Sequence, residues 1–412
     1  MLMADTWLAP ASYLQERWFH ATGDQHCNHN NVVAWHVDGP LDTGALSAAV
    51  EALAERHEVL RTALVPTSDG VAQAVRPPIP VPVWRADVSG SAAPERDLDK
   101  LIVQDAEQPF VLTEAPLWRI GLVRLGRENH VLVVVVSHAI SDGWSMGVLL
   151  RDLVRLYHGI RLPPLELQFA DYAAWERAVS APGLESWWRA RLPLPRPTLP
   201  GRDRWREETA FRMDGRHIPP IGARDRTRLA GLAEAHGGSL ACAVTAGVLS
   251  ALSRHVEGDV VVGFMTANRD RPELQPLVGP VFDFLPLRLP VSGTVADLVP
   301  RVRTALTEAK ARRLPLGAIE RAVSAVSLFD VVVEFLPYSA VAPVRGFAPY
   351  PVPELTVRHT GEIAFAATPP LNYIVQETAD GGLGGVVYGN ALTIPPDTMD
   401  TLGREFHGTM TS

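Results

Sequence analysis

The stretch from His130 to Tyr157 constrains the fold of this chain more than any other. It begins with a run of apolar, mostly β-branched residues, Val131 to Val136, which is typical of a strand buried on both faces. A polar loop, Ser137 to Gly143, follows. After the loop, apolar side chains recur at helical spacing, at Met146, Leu149, Leu150, Leu153, Val154 and Tyr157. The pattern predicts a core strand, a loop and a helix in direct succession.

His138 lies in this loop, directly after the predicted end of the strand. A histidine can be neutral near pH 7 and can exchange a proton with a reacting group, so His138 is a candidate general base. Asp142 lies four residues on, and Gly143 permits a tight or left-handed turn. The same spacing also arises by chance around an ordinary structural histidine. The loop alone leaves both interpretations open.

The charge and the cysteine content of the chain exclude several classes of protein. The formal net charge of −8 argues against nucleic acid or an anionic membrane as the main partner, because both select clustered Lys and Arg. Cys27 and Cys242 are too few for a disulfide framework, and their neighbours lack the spacing of metal ligands. Residues Met1 to Pro10 do not resemble a signal peptide, and no apolar run reaches transmembrane length. We therefore expect a cytoplasmic protein without a bound metal.

The length and a proline-rich stretch predict two lobes. A chain of 412 residues is long enough for two hydrophobic cores. Four prolines between Leu192 and Arg204 exclude regular helix and predict an extended connector. We place an N-terminal lobe over residues 1–180, carrying the histidine loop. A C-terminal lobe over residues 181–412 carries the Ala-Asn-Arg-Asp stretch and the segments expected to bridge the lobes.

The second half repeats the succession of buried strand and polar loop. Val260 to Phe264 is predicted to be a buried strand, and Met265 to Arg269 follows it. If the two halves pack side by side, Asp142 and Arg269 are natural partners. A bidentate pair of arginine and carboxylate would hold the histidine loop in shape, whereas an exposed pair would contribute about 0–1 kcal/mol.

The remaining patterns predict an alternation of strands and helices. His57 ends one helix, where a histidine more often serves as a hydrogen-bonding or capping group than as a catalytic one. Residues 77–100 are predicted to be loops around a short helix. Further strands are predicted at Val32–Val37, Leu117–Leu125, Leu328–Phe335, Leu355–Ala367 and Gly385–Tyr388. Further helices are predicted from the cap at Asp42 and over Arg226–Ala235, Leu240–His255, Ala296–Arg313 and Pro396–Met410.

Five segments, in the right order, resemble motifs of the condensation domains of nonribosomal peptide synthetases, and the resemblance runs from about Ala11 to about Leu392. This family belongs to the chloramphenicol-acetyltransferase-like superfamily. It implies an α/β (α+β) fold of two such lobes that form a V-shaped, monomeric pseudo-dimer with a central tunnel. The matching segments are Leu14–Phe19, Arg56–Thr62, Ser137–Gly143 in the place of His-His-x-x-x-Asp-Gly, Gln168–Trp175 and Val262–Arg288.

The resemblance also implies roles for single residues. The second histidine of the core motif, the catalytic candidate of the family, corresponds to His138. Asp142 corresponds to a structural aspartate that pairs with the arginine matched by Arg269, and Gly143 matches the glycine of the motif. The residues expected near the substrate channel are Trp144, Ser141 and Asp283.

The sequence departs from the family motifs at several positions. Ser137 stands where the family has its first histidine, so the side chain that supports the loop has a shorter reach. Asp283 replaces an asparagine and brings an acid to the expected channel. The motif around Ala311 to Leu316 is reduced to Pro315, and a late Phe-Asp-Leu motif is present only as Gly361, Glu362 and Ile363.

The function that the resemblance implies is acyl transfer in the biosynthesis of secondary metabolites. The donor would be the phosphopantetheine thioester of an acyl or peptidyl carrier protein, and no cofactor would be bound by the chain itself. The acceptor would be an amine or hydroxyl on a small molecule or on a second carrier. The departures leave a second hypothesis open, an inactive platform that recruits carrier proteins or tailoring enzymes. A third hypothesis is an O-acyltransferase that uses coenzyme A thioesters.

Overall fold

The computed structural model describes residues 6–21, 26–27, 30–179, 181–192, 213–324, 328–336, 347–350, 371–391 and 394–412. The proline-rich stretch from residue 193 to 204, the predicted strands at Leu355–Ala367 and the late motif at residues 361–363 lie outside these residues. The described chain forms the following strands: β1 (Trp7–Pro10), β2 (His26–Cys27), β3 (Asn30–Asp38), β4 (Thr62–Thr67), β5 (Gly70–Val75), β6 (Val83–Asp87), β7 (Phe110–Val111), β8 (Trp118–Arg124), β9 (Asn129–Ser137), β10 (Met213–Ile221), β11 (Asp259–Thr266), β12 (Asp283–Pro290), β13 (Val331–Leu336), β14 (Phe347–Tyr350), β15 (Leu371–Glu377) and β16 (Leu383–Asn390).

The helices alternate with these strands along the chain. They are α1 (Tyr13–Ala21), α2 (Thr43–Arg56), α3 (Pro94–Ala106), α4 (Gly143–Tyr157), α5 (Phe169–Ala178), α6 (Pro182–Arg191), α7 (Ala223–Ala235), α8 (Leu240–Leu252), α9 (Val295–Ala311), α10 (Leu316–Val323) and α11 (Pro396–Thr411), with short 3-10 helices at Glu58–Arg61 and Pro272–Leu274.

The chain divides into two compact units that differ from a simple cut along the sequence. The first unit comprises Met1–Ala178, Asn268–Val281 and Ala340–Val357, and the second comprises the remaining segments, Val179–Ala267, Phe282–Ser339 and Arg358–Ser412. The segment with Arg269 thus belongs to the first unit, although we placed it in the C-terminal lobe. The buried side chain of Arg269 and the backbone of this segment bind the start of α4. These contacts place the segment in the first unit despite its later position in the sequence.

The first unit is built around strand β9. The unit contains a five-stranded sheet in the order β14-β3-β9-β8-β6, in which β9 runs antiparallel to both of its neighbours. Residues 131–137 of β9 are all buried, so the predicted central strand is confirmed. Strands β8 and β9 form an antiparallel hairpin. Its turn is closed by hydrogen bonds from the backbone N–H groups of Leu125 and Gly126 to the carbonyl of Asn129.

Helix α4 follows β9 as the apolar spacing predicts. It buries Met146, Leu149, Leu150, Leu153 and Val154, and it contacts α2 and β3. Helix α2 begins after Asp42, whose carboxylate accepts hydrogen bonds from the backbone of Gly44 and Ala45. Burial of this apolar face against the sheet stabilises the helix more than its intrinsic propensity does. The neighbouring strands thereby fix the end of β9, and packing against α2 and β3 fixes α4 directly after it.

The second unit has a mixed sheet with its own core. The strand order is β10-β16-β15-β13-β11-β12, with β13 parallel to both β11 and β15 and the other pairs antiparallel. Helix α8 is buried along nearly its whole length, and an added Cβ at Gly247 would lie 2.3 Å from the Met410 sulfur of α11. Taken singly, none of the described helices has the length and apolarity to span a membrane; the bent pair of α7 and α8 meets that criterion jointly.

Some predicted boundaries were wrong. Residues 77–100 contain strand β6 as well as the start of α3, not loops around a short helix. Strand β6 is an edge strand beside β8, with no fully buried residue, and so lacks a clear alternation of apolar side chains. Helix α8 ends at Leu252 rather than at His255, and β13 begins at Val331 rather than at Leu328.

Candidate active site

His138 lies in a short turn between the central strand and helix α4. Strand β9 ends at Ser137, which is fully buried. The carbonyl of Ser137 accepts a hydrogen bond from the backbone N–H of Ile140 at 3.0 Å and another from the hydroxyl of Ser141 at 2.9 Å. The Ser137 hydroxyl accepts from the backbone N–H of Ala139 at 3.3 Å. The loop is therefore closed by its own serines, although the first histidine of the family motif is absent.

Asp142 is the N-cap of helix α4. Its backbone is extended, and its Oδ1 accepts hydrogen bonds from the backbone N–H of Ser145 at 2.8 Å and from the Ser145 hydroxyl at 2.6 Å. The two residues form a capping box, which satisfies backbone groups that the first turn of a helix leaves unpaired. Because Asp142 is buried, its negative charge needs further compensation.

Arg269 supplies that compensation within the first unit. Its Nη2 lies 3.0 Å and 2.9 Å from the two carboxylate oxygens of Asp142, so one nitrogen serves both oxygens. Its Nη1 donates to the backbone carbonyls of Leu274 and Leu277, each at 2.6 Å. The backbone N–H of Val281 donates to Asp142 Oδ2 at 3.1 Å. The structure thus brings together the two residues that the sequence paired, and it ties the start of α4 to the segment Asn268–Val281.

The ring of His138 is half-buried between two side chains of the first unit. The indole of Trp18 stacks on it, with 5.8 Å between the ring centroids and 24° between the planes. The side-chain amide nitrogen of Asn31 lies 3.4 Å from Nδ1. Burial lowers the pKa of His138 to about 4, and the negative charge of Asp142 opposes this only in part. The imidazole is therefore neutral at pH 7.

Of the tight or left-handed turn that Gly143 permits, the left-handed conformation is not used. Gly143 is not among the glycines with positive φ, and it begins helix α4. Among the described residues, no heavy atom lies within 4 Å of a Cβ added at Gly143. Neither backbone strain nor packing in the structure therefore requires glycine at this position.

The other predicted channel residues lie in different surroundings. Ser141 is buried, and its hydroxyl belongs to the loop network. Trp144 is 41% exposed, and its indole nitrogen donates to the carbonyl of Gln275 at 2.9 Å. Asp283 belongs to the second unit, where its carboxylate accepts from the backbone N–H groups of Phe284 and of Leu316, the first residue of α10. In the structure Asp283 therefore binds the backbone of its own unit.

Trp18 and Asn31 contact His138, but neither was predicted as a site residue from the sequence. Trp18 lies in the first motif, and its ring stacks on His138 in the loop. Asn31 lies on β3 opposite Val136, two residues before His138 on the neighbouring strand. The sequence feature that could have indicated Asn31 is a polar side chain at the start of an apolar strand. The described residues hold no group of three or more His, Cys, Asp or Glu side chains suited to a metal ion.

His57 has a structural role, as its position at a helix end predicted. Its backbone N–H donates to the carbonyl of Leu53, and its Nε2 lies 3.1 Å from Oδ2 of the buried Asp152. Burial lowers the pKa of His57 against the opposing effect of Asp152. Burial raises the pKa of Asp152, but the contacts with His57, Arg151 and Arg56 outweigh this and lower the value to about 2.

Comparison with known families identifies the chain. The family model of the condensation domain matches residues 8–343. The chain belongs to the condensation domain family. One component of the linear gramicidin synthase from Brevibacillus parabrevis is 31% identical over 360 residues, which is 81% of this chain and 5% of that protein. Phosphinothricin tripeptide synthetase PhsC from Streptomyces viridochromogenes is 33% identical over 353 residues, 78% of this chain and 32% of that protein. This condensation domain spans less than a third of the length of each relative.

Solved structures show the same fold. The X-domain from teicoplanin biosynthesis aligns with a TM-score of 0.78 and 25% identity, over 98% of this chain and 94% of that one. An X-domain in complex with OxyB, also from teicoplanin biosynthesis, has a TM-score of 0.74 and 26% identity, with 100% and 94% coverage. The first condensation domain of the calcium-dependent antibiotic synthetase, bound to a substrate analogue, has a TM-score of 0.75 and 24% identity, with 98% and 97% coverage. The predicted α+β condensation-domain fold is confirmed.

The buried pair of Asp142 and Arg269 generates a prediction about stability. Replacing Arg269 by Met leaves a buried carboxylate without its cation, so we expect the free energy of unfolding to fall by about 3–5 kcal/mol. Arg271→Met is the matched control, because Arg271 lies in the same segment but forms a long, exposed pair with Glu273. That control should cost about 0–1 kcal/mol. Urea denaturation of both variants makes the comparison, and equal losses would contradict a special role for Arg269.

The lowered pKa of His138 generates a prediction about pH. The folded ring should stay neutral as the pH falls from 6.5 to about 4, whereas the unfolded chain takes up a proton near 6.5. Because the unfolded state binds the extra proton, His138 should lower the free energy of unfolding progressively across this interval. Titration of the ring resonances by NMR, assigned with His138→Gln, measures the folded value. A midpoint near 6.5 would contradict the burial argument.

Proposed function

We propose that this condensation domain transfers an acyl or aminoacyl group from the phosphopantetheine thioester of a carrier protein to an amine or hydroxyl acceptor. The observation that carries the proposal is the neutral His138, held beside the end of the central strand by the loop that Asp142 and Arg269 fix. The membership in a family whose relatives include peptide synthetases supports the same chemistry.

The reaction needs no covalent intermediate on the protein. The acceptor nitrogen or oxygen forms a bond to the thioester carbonyl carbon, and the electron pair of the carbonyl moves onto its oxygen. When this tetrahedral species collapses, the bond from carbon to sulfur breaks, and the proton of the acceptor ends on the released thiol. A neutral imidazole beside the reacting atoms can assist with its lone pair or with its N–H group. His138 is the residue we assign to this position.

The serine at position 137 is compatible with activity. Its side chain is fully buried and accepts a hydrogen bond inside the loop, so it points to a role in loop shape rather than in contact with substrate. The partner carrier protein would bring the phosphopantetheine arm, so the chain needs no cofactor of its own. We infer that Ser141 supports the loop, and that Trp144 and Asp283 are the remaining candidates for contact with the substrates.

The second candidate function is recruitment without chemistry. It is favoured by the similarity to X-domains, one of which was solved in a complex with OxyB. The replacement of the first motif histidine by Ser137 motivates the same alternative. In that case the chain would bind a tailoring enzyme or a carrier protein, and substitution of His138 would leave the binding unchanged.

Substitution of His138 separates the two candidate functions. We expect His138→Ala to slow acyl transfer by about 10²–10⁴-fold, the range typical of a residue that assists proton or charge movement. His158→Ala is the matched control, because His158 lies exposed at the other end of α4. Carrier proteins loaded with candidate donors are incubated with acceptors, and the intact carriers are weighed by mass spectrometry. Coenzyme A thioesters are tested as alternative donors.

Two results would overturn the proposal. One is transfer by His138→Ala at the rate of the parent protein. The other is binding of a tailoring enzyme without any transfer from any loaded carrier, which would favour recruitment.

The open space beside Gly143 generates a separate prediction about substrate approach. Gly143→Ala and Gly143→Leu should leave the free energy of unfolding within about 1 kcal/mol of the parent value, because no atom of the described residues lies within 4 Å of the new Cβ and glycine is a poor helix former. If substrate passes this position, the larger Leu side chain should raise KM or lower the rate of transfer. Gly279→Ala is the contrasting variant, since its Cβ would lie 2.0 Å from the ring of Phe169 and should destabilise the fold. Parent-like transfer by Gly143→Leu would exclude this path.

A further inference from the structure

The hydrogen bonds around Ser141 fix the orientation of the Asn31 side chain. The carbonyl of Ser137 can only accept, and the Ser141 hydroxyl lies 2.9 Å from it, so the hydroxyl donates its single proton there. Ser141 Oγ can then only accept from other groups. Since Asn31 Nδ2 lies 2.9 Å from this oxygen, the amide must present its NH₂ group, and not its carbonyl oxygen, to the loop.

The same NH₂ group faces the ring of His138. Its nitrogen lies 3.4 Å from Nδ1, and one of its two protons remains after the bond to Ser141. A nitrogen that faces a donor must offer its lone pair, and a neutral imidazole carries its proton on the other nitrogen. We propose that Asn31 is a positioning residue that holds His138 in the tautomer with its proton on Nε2.

The free end of the ring is Nε2. Stacking on Trp18 sets the plane of the ring, and the contact with Asn31 sets its rotation within that plane. None of the residues that the structure describes forms a hydrogen bond with Nε2. The residue is only partly buried, so Nε2–H is the group that it offers to an incoming molecule.

This tautomer determines the part that His138 plays in the reaction, a step that rests on the proposed function. With its proton on Nε2, the neutral ring is a hydrogen-bond donor and stabilises the thioester oxygen as negative charge develops on it. The acceptor nitrogen forms its bond to carbon, the thiolate leaves, and the proton lost from nitrogen goes to the thiolate. His138 keeps its own proton throughout, so the step balances without a base on the protein.

The identity of residue 31 should control the tautomer. In Asn31→Asp the carboxylate can only accept, so Nδ1 must carry a proton, and in the neutral ring Nε2 is then the bare nitrogen. In Asn31→Leu the constraint disappears without any added charge. Asn129→Asp makes the same chemical change at the exposed start of β9 and is the matched control.

NMR spectroscopy detects the tautomer of the His138 ring directly. The full chain is labelled with ¹⁵N-histidine, and two-bond ¹H–¹⁵N spectra at pH 7 show which nitrogen of His138 is protonated, with His138→Gln for assignment. We expect Nε2 to be protonated in the parent and in Asn129→Asp, Nδ1 to be protonated in Asn31→Asp, and the two forms to interconvert in Asn31→Leu. Because free imidazole also favours the proton on Nε2, the Asn31 variants are the decisive samples.

Protonation of Nδ1 in the parent, or an unchanged tautomer in both Asn31 variants, would overturn the role of Asn31. The spectra need no substrate, so they stand apart from any test of acyl transfer. The transfer rate of folded Asn31→Asp then tests the donor role, for which we expect a loss similar to that of His138→Ala. A parent-like rate in Asn31→Asp would overturn the donor role alone, and absence of transfer in the parent would overturn the proposed function alone.

Discussion

The carboxylate of Asp142 is the group on which the candidate site depends. A buried charge is tolerated only when hydrogen bonds and an opposite charge replace the water it has lost. Here the Asp142 carboxylate is bound by the charged side chain of Arg269, by two groups of Ser145 and by the backbone N–H of Val281. These partners come from the first turn of α4 and from a segment that is distant in the sequence. The single carboxylate therefore caps the helix and anchors the loop that contains His138.

The surroundings of His138 depend on this fixed loop. The ring is neutral because burial opposes its charge, and Asp142, whose carboxylate is bound by Ser145 and Arg269, acts on the imidazole through its charge alone. Trp18 and Asn31 then set the plane and the rotation of the ring. Ser137 and Ser141 close the loop with short side chains, which explains how the turn keeps its shape without the first motif histidine. A change at Asn31 should thus alter which nitrogen of His138 carries the proton without altering the fold.

The sequence predicted the succession of β9, loop and α4 because a continuous β-branched run and a helical repeat are strong local signals. The pairing of Asp142 with Arg269 followed from the order of strands and loops in the two halves, and the family resemblance named the same pair. Asn31 could not be assigned, because its contact depends on the register between β3 and β9. Strand β6 was not predicted for a similar reason, because an edge strand with half-exposed residues has no regular alternation of apolar and polar side chains. The glycine of the motif permits a tight or left-handed turn, and the backbone of Gly143 does not use the left-handed conformation.

The central proposal is that the buried pair of Asp142 and Arg269 supports acyl transfer by holding the loop that positions His138. The most direct measurement is the single-turnover rate of acyl transfer by Arg269→Met, with a carrier-bound donor that the parent accepts. The rate is taken where circular dichroism shows that the variant is folded. We expect a loss of about 10²-fold or more, comparable with removal of the His138 ring. A folded Arg269→Met protein that transfers at the parent rate would contradict the claim.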